Sequence, residues 1–381
     1  MFSPSEPTRL LAVQIAEDWA QIEALIPRWQ ALLDRSSANS IFLTPDWVMA
    51  WRYAMQGLNI HPLVVVVTDD REELVGLALY HVSTQRLFGL VPYEVVRPMS
   101  DYATGAVYHD VIADPLLAPR VYQAVLTALA SFPCDAVWLP HIAHWTQARD
   151  RFETAARQAD FVVVERFSEF FCIDLPSDFS DYEKGLSPST RKDLRRTSKR
   201  LFEGEQASIA SNENESRLAQ AVETYVDMNT RRWQAIGEAG VFVRKPREAD
   251  FYRRFTAVAL ARGWLRFLQM EIGGKVVAME IGFHYNERYF AMQGSYEVHG
   301  PSGTGKTLLH EMLRREMSEG AREFDLLSGD ASYKQRCGAN GRPVSDFFLL
   351  KRSIKTLPLR VVRFWPRGRY LDFTKSPGSA R

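Results

Sequence analysis

Apolar residues recur at helical spacing near the start of the chain: Trp19, Ile22, Leu25, Ile26, Trp29, Leu32 and Leu33 predict one amphipathic helix over about 17–34. Thr44-Pro45-Asp46 opens a second helix, with a capping hydroxyl, a proline suited to the first turn and an acid that favours the helix dipole. Trp47 and Trp51 then share one face, which reads as packing rather than a ligand box. The β-branched run at 63–67 predicts a buried strand, and Asp69-Asp70 turns the chain into a partner at 74–81. Helices at about 115–131 and 145–159 alternate with a strand at 135–140 and extended segments at 161–165 and 169–175. That mixture gives the first part of the chain an α+β class.

A polar, turn-rich stretch at 176–180 marks a boundary, so the expected divisions are 1–176, 177–352 and a tail at 353–381. Ser187-Pro188 opens a helix, and further helices follow at about 218–234 and 251–262. Alternating apolar runs at 264–272, 275–285 and 288–296 are joined by Gly273-Gly274 and Asn286-Glu287, two-residue turns that predict an antiparallel meander. Leu308, Leu309, Met312, Leu313 and Met317 then line one helix face, closed by Gly320. A short strand at 324–327, a short helix from Tyr333 and a last strand at 343–350 complete the pattern.

Composition narrows the class. The 381 residues are 46% hydrophobic and 24% charged, as in globular proteins with a sizeable core, and the net charge of +1 excludes a surface tuned throughout to nucleic acid. Cys134, Cys172 and Cys337 fit no metal spacing or disulfide framework, and the histidines show no ligand spacing, so the expectation is a reduced, cytoplasmic chain without a metal. The N-terminus lacks a signal pattern, and the longest charge-free run, about 121–134, falls short of the ~20 residues that span a bilayer.

The candidate chemistry centres on Gly300-Pro301-Ser302-Gly303-Thr304-Gly305-Lys306-Thr307, a full match to G-x-x-x-x-G-K-[ST]. Glycines let backbone amides close on a phosphate at the start of a helix, so an anionic ligand is the first expectation. A nucleotide-hydrolysing loop belongs after the first strand of a parallel sheet. Here it follows an antiparallel meander, and only about 75 residues come after it. Two basic runs add possible partners. Arg191, Lys192, Arg195, Arg196, Lys199 and Arg200, opposed by Asp193, form either a solvated helix face or a dock for a phosphate-bearing partner. The basic tail from Lys351 onward could lie on an anionic membrane at the inner surface or simply pack.

The order helix, three antiparallel strands, glycine loop, helix, strand, helix, strand resembles the acyl-CoA fold of the GNAT superfamily. That family's loop has the form [RQ]-x-x-G-x-[GA]; Pro301-Ser302-Gly303-Thr304-Gly305 supplies the last five places, and Gly300 stands where the family has Arg or Gln. The chain further resembles the cellulose-biosynthesis-associated acetyltransferases (the CelD/BcsL type). The matching pieces in the second half are Arg191-Lys192-Asp193-Leu194-Arg195-Arg196, Arg232-Trp233, 263–267, Gly294-Ser295-Tyr296 and 324–330 before Tyr333-Lys334. In the first half they are 42–47 and Ser100-Asp101-Tyr102. That family is similar to the Fem-type aminoacyltransferases.

The resemblance implies two GNAT-like halves, each a mixed, mostly antiparallel sheet flanked by helices. It implies acyl transfer, acetyl in the first instance, from acyl-CoA to an amine or hydroxyl of a saccharide or cell-envelope precursor. Ser302, Gly303, Thr304, Gly305, Lys306 and Thr307 would hold the pyrophosphate. Asp330 would act as base or orient the acceptor, Tyr333 would protonate the thiolate, and Glu280 is the second candidate base. The ordinary readings of these three are a helix cap, packing and a solvent-facing strand position. Lys334 would bind a phosphate or carboxylate, and Asp101, Tyr102, Arg231, Arg232 and Trp233 the acceptor, unless they form structural ion pairs. A tRNA-dependent aminoacyltransferase, a phosphate-loop NTPase and a non-catalytic scaffold for polysaccharide synthesis stand as alternatives.

Overall fold

The computed structural model describes residues 10–362 except 59, 88, 89 and 102. The chain forms two compact units, one from residues 10–168 with 343–362 and the other from Glu169–Arg342. In chain order the strands of the first unit are β1 (Leu11–Ala16), β2 (His61–Asp69), β3 (Leu74–Leu87), β4 (Val91–Pro98), the two-residue β5 (Ile112–Ala113) and β6 (Ala136–Ala143). Its helices are α1 (Trp19–Ala24), α2 (Ile26–Arg35), α3 (Pro45–Ala54), α4 (Ala118–Ser131) and α5 (Ala148–Gln158). The strand β7 (Val162–Asp174) leads into the second unit, where α6 (Phe179–Gly185), α7 (Pro188–Lys199), β8 (Ser208–Ser211), α8 (Glu215–Ala235), α9 (Val241–Arg244) and α10 (Pro246–Ala261) follow. Next come β9 (Leu265–Ile272), β10 (Lys275–Tyr285), β11 (Arg288–Tyr296), α11 (Thr304–Ser318), β12 (Glu323–Leu327) and α12 (Ala331–Arg336). The strand β13 (Asn340–Leu350) and α13 (Leu357–Val362) return to the first unit.

The two units repeat one topology. In the first, β1, β2, β3 and β4 form an antiparallel ladder, and β4 runs parallel to β6 through the crossover helix α4. In the second, β8, β9, β10 and β11 do the same, and β11 runs parallel to β12 through α11. Parallel neighbours need such a crossover, while the meanders need only tight turns. The turns carry the required left-handed residues, Gly273 and Gly274 (φ 57° and 74°) and Asn286 and Glu287 (φ 49° and 58°). Each sheet packs its crossover helix over its own core: Val121, Val125 and Leu129 of α4 against Val65, Val67 and Val137, and Leu308, Met312 and Leu313 of α11 against Met270, Ala278 and Phe324.

Three expectations change. The helix over 17–34 divides at Leu25, where Pro27 sits in the first turn of α2 and has no N–H to continue the preceding ladder. The last strand belongs to the first unit, not the second. Its Val344 and 347–350 pair with β6, and Phe347 and Leu349 enter the first unit's core. The expected division at 176/177 accordingly falls at 168/169, inside β7, and residues 343–352 leave the second half. Most of the basic tail, 363–381, lies outside the described residues.

Candidate functional site

The glycine loop connects β11 to α11 in the second unit. Gly303 is the residue before the helix, in the left-handed region at φ 84°, and a Cβ there would lie 2.6 Å from Thr197 Cγ2 of α7. Position 303 therefore requires glycine twice over, for its backbone angle and for the close approach of α7. Arg200 donates to the Ser302 carbonyl, with its hydroxyl at 3.5 Å. Lys306, in the first turn, forms an ion pair with Asp193 of α7. Thr304 and Thr307 are buried, and the Thr307 amide donates to the Gly303 carbonyl at 2.9 Å. The amides of the first turn ahead of it have no i−4 carbonyl, so they and Lys306 offer positive charge at this end of a 15-residue helix.

Beside the loop, β11 and β12 pair only from Arg288–Phe290 to Glu323–Asp325, while β11 continues to Tyr296. A gap thus opens between two neighbouring strands at the loop end. On the β10 side of β11, Glu280 stands opposite Gly294 in the ladder. A Cβ on Gly294 would meet Glu280 Oε2 at 2.4 Å, and Gly294 itself is exposed, so the missing side chain leaves the carboxyl approachable. Burial pushes Glu280 up to about 8, with only Arg232 pulling it down. Arg232 donates to the Gly294 carbonyl at 3.0 Å and lies over Tyr296, 4.2 Å from the ring centroid, with Trp233 at 5.7 Å. Arg231 is committed to Asp227 and Glu297. Behind this strand, Tyr225 donates to Gln293 Oε1 at 3.0 Å and Gln293 to Glu248 at 2.9 Å; burial raises Glu248 to about 7.

Across the gap, α12 supplies the other predicted residues. Asp330 caps it, accepting from the Ser332 amide at 2.9 Å and hydroxyl at 2.8 Å, and these bonds hold its exposed carboxyl below the usual range. That is the environment of a cap, and it weakens Asp330 as a base at neutral pH. Tyr333 is half-buried; burial, then the Cys337 thiol and Glu280, push its phenol up. Lys334 is buried, donating to the Leu327 carbonyl at 3.0 Å and to those of Leu326 and Ser328, which ties off the end of β12. Burial lowers it to about 8. A cavity of about 270 Å³ runs between α7, α11 and α12, with Lys306, Asp193 and Arg336 charged and Tyr333, Cys337 and Leu309 beside them.

The second unit thus brings together Ser302, Gly303, Lys306, Tyr333, Arg232 and Glu280. Asp101 lies in the first unit, in a different kind of site. Its carboxylate takes Arg97 Nε at 2.6 Å and His81 Nε2 at 3.3 Å, and all three side chains are buried. Burial opposes the charge, yet Arg97 and then His81 hold Asp101 at about 2. Arg97 faces His81 in the β3–β4 ladder, near the strand end that corresponds to Gly294 opposite Glu280. Where the second unit has a glycine and an approachable acid, the first has an arginine and a closed ion cluster. Tyr102 lies outside the described residues. Sequence reasoning missed the roles of Gly294 and Cys337 and the pairing of Asp193; Gly294-Ser295-Tyr296 was the signal that could have flagged the first.

Residues 188–335 match the acetyltransferase (GNAT) domain family. The second unit is built on a GNAT domain. Acyl transfer is the enzyme class that goes with it. The fold is that of FemX, with a TM-score of 0.60 at 8% identity over 92% of this chain and 100% of that one. It also superposes on the C-terminal domain of a putative lysylphosphatidylglycerol synthetase from Agrobacterium fabrum, with a TM-score of 0.52 at 10% identity over 89% and 96% of the two chains. L-PGS from Bacillus licheniformis gives 0.52 at 12% identity over 88% and 94%. No curated protein matches the sequence. The two-unit α+β architecture expected from the sequence is thereby shown, and the first unit repeats the topology of the GNAT-matching second. The phosphate-loop NTPase reading fails, because β11, which feeds the loop, is antiparallel to β10. Among the described residues no helix is long and apolar enough to cross a membrane, and no three His, Cys, Asp or Glu side chains group as metal ligands.

Proposed function

We propose that the GNAT domain transfers an acyl group from acyl-CoA to an amine or hydroxyl of a saccharide or cell-envelope precursor. The observation that carries this reading is the cavity that runs from Lys306, at the glycine loop, to Tyr333. The acyl-CoA donor fits that path: phosphates at the α11 terminus, Lys306 and Arg336, and the thioester at Tyr333. Glu280 takes the proton of the acceptor as its nitrogen or oxygen bonds to the acyl carbon. The C–S bond then breaks and Tyr333 gives its proton to the departing thiolate, regaining one from solvent. Because burial holds the Glu280 proton up to about 8, the base acts through its ionised fraction, which grows as pH rises toward that value. The motif order of the cellulose-biosynthesis-associated type supports a saccharide acceptor.

Thiol release from acyl-CoA in the presence of amino sugars tests the reading. Glu280→Gln should lower kcat by about 10²–10⁴-fold and Tyr333→Phe by a smaller factor; full activity of both variants would refute the assignment. A tRNA-dependent reaction draws on Arg195, Arg196 and Lys199, which are exposed on α7. Steeply salt-dependent tRNA binding lost on their neutralisation would favour it.

A further inference from the structure

Among the arginines beside Gly294, one keeps donors that the fold does not use. Arg231 is taken by Asp227 and Glu297. Arg232 makes one hydrogen bond, from Nη1 to the Gly294 carbonyl, and no carboxylate pairs with it among the described residues. Arg232 is half-buried, and its guanidinium carbon lies 4.2 Å from the ring centroid of Tyr296, which is 40% exposed. A guanidinium over an aromatic ring, with no carboxylate partner among the described residues, suits a planar or tetrahedral oxyanion. Across the same Gly294, the ladder places Glu280.

We propose that the acceptor carries a carboxylate or phosphate next to its nucleophile, that Arg232 receives this anion, and that the bare Cα of Gly294 lets the nucleophile reach Glu280. The proposal rests on the reading of Glu280 as the base. It also couples acceptor binding to base strength. Around Glu280, Tyr225 of α8, Tyr252 of α10, Tyr289 of β11 and Tyr333 of α12 are all neutral phenols, and Arg232 is the one charge that stabilises its carboxylate. An anion seated on Arg232 offsets that charge, so the bound acceptor makes Glu280 a stronger base.

Calorimetric titration of the full-length protein with glucosamine, glucosamine 1-phosphate and glucosaminate separates the cases. The phosphate or the carboxylate sugar should bind at least tenfold more tightly than glucosamine, and which of the two does so names the anion. Arg232→Gln should erase the preference, and Arg232→Lys should keep part of it. In thiol-release assays, Arg232→Gln should move the acidic limb of kcat/KM to higher pH, and raise KM for the anionic sugar while leaving KM for glucosamine unchanged, a split that a merely structural arginine would not produce. Equal binding of the three sugars, binding of none, or an equal loss for all three in Arg232→Gln overturns the proposal. Acetyl-CoA binding, titrated in parallel, distinguishes the failures. Bound acetyl-CoA without anion preference removes only the Arg232 proposal; anion preference without acetyl-CoA binding removes the acyl-transfer reading.

Discussion

Glu280 and Gly294 occupy opposite places in the β10–β11 ladder, and the carboxyl of the one fills the space that a Cβ on the other would need, 2.4 Å from Oε2. Adding that methyl must push the carboxyl aside. Gly294→Ala should therefore cost about 1–3 kcal/mol of stability, as overpacked positions do, and a larger share of activity than of stability. Denaturant unfolding alongside steady-state rates checks both. Unchanged kcat would mean that the carboxyl does not act from this position.

The protonation of Glu280 has its own signature in stability. Its folded value near 8 lies above the ordinary carboxyl range, so between about 4.5 and 8 the unfolded chain ionises while the folded one holds its proton. Stability contributed by the neutral form is full at low pH and is lost as pH rises across that window. Glu280→Gln cannot ionise, so its melting temperature relative to the parent should climb from pH 5 to pH 8. A constant difference would show a carboxyl that titrates normally.

Asp193 pairs with Lys306 in the first turn of α11, where the proposed donor's phosphates would sit. Removing its charge frees the lysine, and a phosphate-bearing donor no longer has to displace a carboxylate. Asp193→Asn should bind acyl-CoA several-fold more tightly than the parent, by titration at low salt. Weaker binding by this variant would place the donor phosphates elsewhere.

Asp101 is expected to matter to the first unit as structure. Its loss leaves Arg97 buried without its carboxylate, a change that typically costs about 3–5 kcal/mol. Asp101→Asn should lower the unfolding midpoint accordingly. Because Asp101 is held near 2, below its unfolded value, its contribution is present above about pH 4 and fades as pH falls toward 2. The parent and variant should therefore converge in acid; a difference independent of pH would contradict the ion-pair account.

Local signals made much of this legible. Gly273-Gly274 and Asn286-Glu287 encode their turns in two residues each, and Gly303 precedes its helix in the loop the motif marked. What depends on partners distant in sequence was not readable. Alternation along 343–350 predicts a strand without saying that it pairs with β6. Glu280 reads as a solvent-facing strand residue, yet most of β10 is buried on both faces, and burial is what alters its chemistry. Asp330, by contrast, sits where its plainest reading put it, at a helix cap. The pairing of Lys306 with Asp193 joins residues 113 apart in sequence and needs the packing of α7 on the loop.

On the proposed function, the glycine loop and α12 cradle an acyl-CoA. Isothermal titration of the full-length protein with acetyl-CoA tests it most directly, with Lys306→Ala beside the parent. Saturable binding well below millimolar ligand, weakened about tenfold or more by Lys306→Ala as for a lost charge-assisted contact, is the expected result. No saturable binding at millimolar acetyl-CoA, or ATP binding in its place that Lys306→Ala abolishes, would contradict it.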